Sequence, residues 1–260
     1  MTLDFVYAVQ AEWLKRRRSL ALWLVVVGAL FTPAIVIVAR LVRRRELPAL
    51  YAMDEFWQRL WHSSWESMAM FFLPMAVVFA TGLIAQIEVK NNAWKQVHAQ
   101  PLALAAIYLA KLVVILVLIV QFVALFNVGI YASAVVPYLL VGGLPYPDAL
   151  PAGTFLAKDL WYLLDCLPIV AAQYLLSLRY RNFMVPVGVG FMTWVASLAA
   201  LSWKYGALLP YTYCMLEYLK DDPSKKAAIP PVDIHVMAAA YFVLFLVLGY
   251  AMFATKADKG

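Results

Sequence analysis

Residues 105–136 read AAIYLAKLVVILVLIVQFVALFNVGIYASAVV, a run in which Lys111 is the only charged side chain. The apolar residues are continuous rather than alternating. Crossing ~30 Å of hydrocarbon takes ~20 helical residues, and this run exceeds that. Backbone groups in lipid must be satisfied within the segment or in a closed barrel, and a continuous apolar run fits a helix rather than a barrel strand. Five further stretches read the same way: 20–39, 68–87, 154–178, 183–203 and 235–254. The fold class predicted is therefore all-α integral membrane, with six transmembrane helices of which 105–136 is the third. Composition agrees. The chain is 65% hydrophobic and 14% charged, against ~45–50% and ~25% for a soluble domain. No segment between the runs is long enough to fold alone, so residues 1–260 read as a single transmembrane domain.

The connecting segments add detail. In residues 1–18, Leu3, Val6, Val9 and Trp13 recur at helical spacing among Asp4, Gln10, Glu12 and Lys15, which predicts an amphipathic helix lying in the interface. The run after Arg16–Arg18 is too long for the apolar part of a signal peptide, so it is read as an uncleaved first helix. Trp57, Trp61 and Trp65, spaced four apart, predict an aromatic belt at headgroup level. Between helices five and six, ALLPYTYCMLEYL (207–219) is apolar enough to dip into the membrane as a re-entrant segment, and KDDPSKKAAIPP (220–231) is polar. Lys and Arg are evenly split between the two sides. The basic residues before the first helix dominate early insertion, which places both termini in the cytoplasm. The net charge of +6 fits anionic headgroups and gives no sign of a nucleic-acid partner.

Several chemistries have no sequence sign. There is no GxxxxGK[ST], no HExxH and no GxSxG; His62, His98 and His235 fall in separate segments, so no metal site and no catalytic residue is expected. Cys166 and Cys214 make no CxxC pair. Asp165 reads as the one acid deep within an apolar run, where an ionisable group faces protein or water. With Lys158, Tyr162 and Gln173 it falls within an arc of about 80° at 100° per residue. That stripe is either a candidate substrate path or structural glue between helices. Lys111 is expected to snorkel at the cytoplasmic surface. Pro74, Pro168 and Pro186 are expected kinks, and Gly188, Gly190, Thr193, Ser197 and Ala200 allow close helix approach.

Residues 88–104 connect helices two and three. Asn91 and Asn92 suit a helix cap, Trp94 is a rigid amphipathic anchor, and Pro101 ends the element, an arrangement suited to docking a soluble partner. At AEWLKRRRS (11–19) and IEVKNNAWKQVHAQPLALAAIYLAK (87–111) the chain resembles the permease subunits of ABC-2-type transporters, in particular the small lantibiotic-immunity kind. Glu88, Asn92, Trp94, Lys95, Pro101, Tyr108 and Lys111 carry the resemblance, while His98-Ala99 and the basic Arg43–Arg45 depart from it. The resemblance implies a multi-pass protein of the bacterial inner membrane. It implies a second permease chain, identical or different, and separate ABC ATPase subunits that hold ATP and Mg²⁺, with no cofactor in this chain. It further implies that Glu88, Asn91, Asn92, Trp94, Lys95, Gln96 and His98 couple to the ATPase, and that an amphipathic peptide or lipid-like substrate is exported. The alternatives are a non-transporting membrane scaffold or immunity protein, and an intramembrane enzyme using Asp165.

Overall fold

The structure, a computed structural model, describes residues 2–16, 19–90, 103–145, 147, 149–220 and 232–257, and no strand occurs among them. The longer elements are α1 (Thr2–Arg16), α2 (Leu20–Val42), α3 (Leu47–Tyr51), α4 (Phe56–Ser67), α5 (Leu73–Lys90), α6 (Leu104–Val141), α7 (Ala152–Arg179), α8 (Met184–Ala200), α9 (Tyr213–Lys220) and α10 (Ile234–Ala257). A π-helical turn, Met68–Phe72, runs α4 into α5 without a break. The run expected to start at residue 68 is thus the second part of one longer rod. Among the described residues, five segments are long and apolar enough to cross a membrane: Leu20–Val42, Phe56–Ile87, Leu104–Val141, Ala152–Arg179 and Ile234–Thr255. The remaining apolar helix, α8, has 17 residues. The outer helices α2 and α10 leave Trp23, Val27, Val38, Val243 and Val247 exposed, a surface that lipid tolerates and water does not.

Helices α2 and α6 run the same way, because Gly28 lies against Phe122 and Pro33 against Gly129 further along. Helices α7 and α10 also run the same way, with Asp165 beside His235 and Leu175 beside Gly249. Helices α6 and α7 run oppositely. The Tyr174 hydroxyl donates to the Tyr108 carbonyl at 2.9 Å, and the Asn127 amide donates to Asp159 Oδ2 at 2.9 Å. Helices α5 and α8 are also opposed, since Gln86 donates to the Arg181 carbonyl and Trp194 to that of Met70.

Proline dictates two of the cross-helix bonds. Pro lacks an N–H, so the carbonyl four residues before it loses its helical donor. Pro74 does this to Met70, and the Trp194 Nε1–H from α8 donates to that carbonyl at 2.7 Å. Pro137 does it to Ser133, and Arg40 Nη1 from α2 donates there at 2.8 Å. The Tyr51 hydroxyl donates to the adjacent Ala134 carbonyl. Arg40 also lies over the Tyr51 and Phe56 rings, so its charge is buried among acceptors and π faces.

Two expectations need correction. Trp57, Trp61 and Trp65 form no headgroup belt. They are 3%, 2% and 0% exposed and face α6 and α7. Trp57 stacks on Tyr131, Trp61 on Phe155 and Trp65 on Tyr162. Their spacing of four puts them on one helix face, and that face points inward because bulky rings fill the space between three helices. Lys111 does not snorkel either. It is 1% exposed, and its Nζ lies 2.8 Å from Glu12 Oε2 of α1. A buried acid on the amphipathic helix supplies the partner that makes burial tolerable.

Candidate functional site

The predicted coupling segment begins on α5. Glu88 lies in its last turn, which ends at Lys90, while Asn91, Asn92, Trp94, Lys95, Gln96 and His98 lie outside the described residues. The helix that follows is firmly held. The Tyr108 hydroxyl donates to the Leu246 carbonyl of α10 at 3.0 Å, and the Tyr108 carbonyl accepts from Tyr174 of α7. One turn later Lys111 meets Glu12 of α1. Glu12 also accepts from Lys15 at 2.6 Å through its other oxygen. Burial pushes the Glu12 carboxyl up, but Lys111 and Lys15 outweigh it and hold the group below its ordinary value. Arg16 lies 3.7 Å from the Trp13 ring and donates to Gln121 of α6 at 2.7 Å. The N-terminal helix therefore turns a charged face, Glu12 and Arg16, toward α6, while Val6, Tyr7 and Leu14 stay exposed.

Lys158, Tyr162, Asp165 and Gln173 all lie on α7, and each has a structural partner. Lys158 lies over the Trp61 ring at 5.5 Å. Tyr162 stacks on Trp65 at 4.0 Å between centroids. Asp165 faces His235, with 2.8 Å between Oδ1 and Nδ1. Gln173 donates to the Tyr211 hydroxyl and packs against Gly190 of α8, where a Cβ would collide with it. Asp165 is not the only buried acid on this helix. Asp159 is 5% exposed and held by Asn127. Sequence reasoning missed it because Asp159 sits near the start of the run, beside Lys158, where it reads as part of a polar end. Of the small residues on α8, Gly190, Ser197 and Ala200 are buried, whereas Gly188 faces open space.

The structure also gathers residues that spacing could not connect. Asp165 of α7, Glu217 of α9 and His235 of α10 offer ligand atoms within 4.8 Å of one another. Cys166 and Cys214 are both buried and free; the latter lies on α9. An apolar cavity of about 210 Å³ lies apart from the polar stripe, between α2, α5 and α6, lined by Leu24, Phe31, Phe72, Met75, Phe79 and Phe122 among others.

No curated protein and no solved structure gives a significant match to the chain. A family model does: the model of the ABC-2 family transporter protein matches residues 8–197, more than two thirds of the chain. The match covers the later part of α1, the 88–104 segment and the α7 stripe, and agrees with the resemblance read from residues 11–19 and 87–111. The chain, a multi-pass membrane protein, belongs to the ABC-2 family of transporter permeases.

Proposed function

We propose that the chain is the permease subunit of an ABC exporter, working with a second permease chain and with separate ATPase subunits that bind ATP and Mg²⁺. The observation that carries this reading is the family match over residues 8–197. A chain with no P-loop of its own needs an outside source of ATP energy. Residues 88–104 are the docking segment for the ATPase. A push there enters α6, whose first turns are tied to α1, α7 and α10 through Lys111 and Tyr108. The substrate class is an amphipathic peptide or lipid-like molecule.

The topology in this reading has six crossings, with both termini in the cytoplasm of a bacterial cell. Helices α7 and α10 run the same way, so the chain must return across the membrane between them, and α8 is the apolar helix available. At 1.5 Å per residue it covers about 25 Å. The turns at 206–212 and α9 then form a re-entrant element whose buried face includes Tyr213, Cys214 and Tyr218.

The test is co-purification with the ABC ATPase encoded beside the chain, comparing wild type with Trp94→Ala plus Lys95→Ala. The double variant is expected to lose assembly and permease-stimulated ATP hydrolysis while the permease stays monodisperse. Unchanged assembly and hydrolysis would sink the docking assignment. A chain that protects cells with no ATPase present would be a scaffold or immunity protein.

A further inference from the structure

We infer that Asp165, Glu217 and His235 form a binding site for a divalent transition metal of the zinc class. The three side chains come from three elements, α7, α9 and α10, and converge to within 4.8 Å. His235 is placed for the role. Its backbone N–H donates to Asp233 Oδ1 at 2.9 Å, fixing the start of α10, and the Trp161 ring lies 4.3 Å from the imidazole. Nδ1 is 2.8 Å from Asp165 Oδ1, and Nε2 is 3.6 Å from Glu217 Oε2. Bonds of about 2.0–2.2 Å in a tetrahedral shell put neighbouring ligands roughly 3.4 Å apart, so with Nδ1 as the ligand the 2.8 Å contact to Asp165 must open slightly while the Glu217 oxygen draws in.

A second observation points the same way. The Asp165 side chain is 0% exposed, yet its Oδ2 has no hydrogen-bond donor. A carboxylate oxygen left unpaired in the interior is costly, and a cation bound by this carboxylate removes that cost. One imidazole nitrogen with two carboxylates is a donor set that zinc accepts, with a fourth position left for water or another donor. Binding replaces the direct contact between His235 Nδ1 and Asp165 Oδ1. Lys220 Nζ lies 2.8 Å from Glu217 Oε2 and moves to the other carboxylate oxygen or to solvent when Glu217 binds metal. The ion then fastens α7, α9 and α10 at one point. This site stands on these side chains alone, so its failure leaves the transport reading intact.

The experiment is calorimetric titration of chelator-stripped full chain in detergent with Zn²⁺. One ion per chain is expected. Asp165→Asn, which keeps the side-chain volume, and His235→Gln should each weaken binding beyond the roughly 100-fold that loss of an outer hydrogen-bond partner causes. His62→Ala and His98→Ala should bind as wild type. No saturable binding by wild type, or equal binding by the Asp165 and His235 variants, overturns the site. X-ray absorption on the unaltered Co²⁺-loaded chain decides the case if those variants misfold: one imidazole with oxygen donors supports it, and sulfur donors or several imidazoles overturn it.

Discussion

The Glu12–Lys111 pair offers the most direct test of how α1 is held. Glu12 is 5% exposed and Lys111 1% exposed, and their charged atoms are 2.8 Å apart. Lys111→Met keeps an unbranched side chain one atom shorter and removes its charge. Among the described residues Glu12 then keeps Lys15, whose side chain is 32% exposed. Breaking a buried pair from one side costs about 3–5 kcal/mol, because the surviving charge stays buried, whereas replacing both partners by apolar groups is near neutral. Glu12→Leu with Lys111→Met should therefore recover most of what either single change loses. The assay is hydrogen exchange over residues 2–16 in micelles. If α1 opens locally, a loss of about 3 kcal/mol speeds exchange there by roughly 100-fold. Acid should mimic the variant. The Glu12 carboxyl is depressed in the folded chain, so its stabilisation is full above the unfolded carboxylate value and is lost as pH falls through the lower folded value. Additive single and double variants, or α1 exchange that ignores all three, would refute the reasoning.

The other predictions concern helix contacts. Trp194→Phe removes the indole donor to the carbonyl that Pro74 orphans and should cost about 1–3 kcal/mol, read as a lower unfolding midpoint in detergent. A wild-type midpoint would mean that the bond does not matter. Gly129→Ala places a Cβ 2.7 Å from Pro33 Cγ, so α2 and α6 must separate; about 1–3 kcal/mol is expected, while Gly188→Ala, which meets nothing, should be silent.

Much of the fold was legible because membrane insertion is governed by apolar length, which a sequence displays. The run at 105–136 shows it most plainly, and it lies within α6, Leu104–Val141. What length cannot show is which side of a helix meets protein. Trp57, Trp61 and Trp65 have the same spacing whether they face headgroups or α7, and only the neighbours Phe155 and Tyr162 decide it. Lys111 has the same weakness: a lysine near a helix start snorkels by default, and its true partner lies 99 residues away. The cluster of Asp165, Glu217 and His235 joins residues from three elements, so no spacing rule reaches it. Residues 88–104 carry the family pattern in their polar, aromatic and proline content, and residues 91–102 lie outside the described residues.

The capped prolines change what a bend means in this protein. A helix broken by proline is commonly pictured as a hinge, because one rung of its ladder is missing. Here the missing rungs at Pro74 and Pro137 are supplied from other helices, by Trp194 and Arg40. Separating either pair of helices would pull a side chain off its acceptor. The α4–α5 rod is thus tied to α8, and α6 to α2, at those points. Displacement of these helices is then expected along the seams between the tied pairs rather than at the prolines.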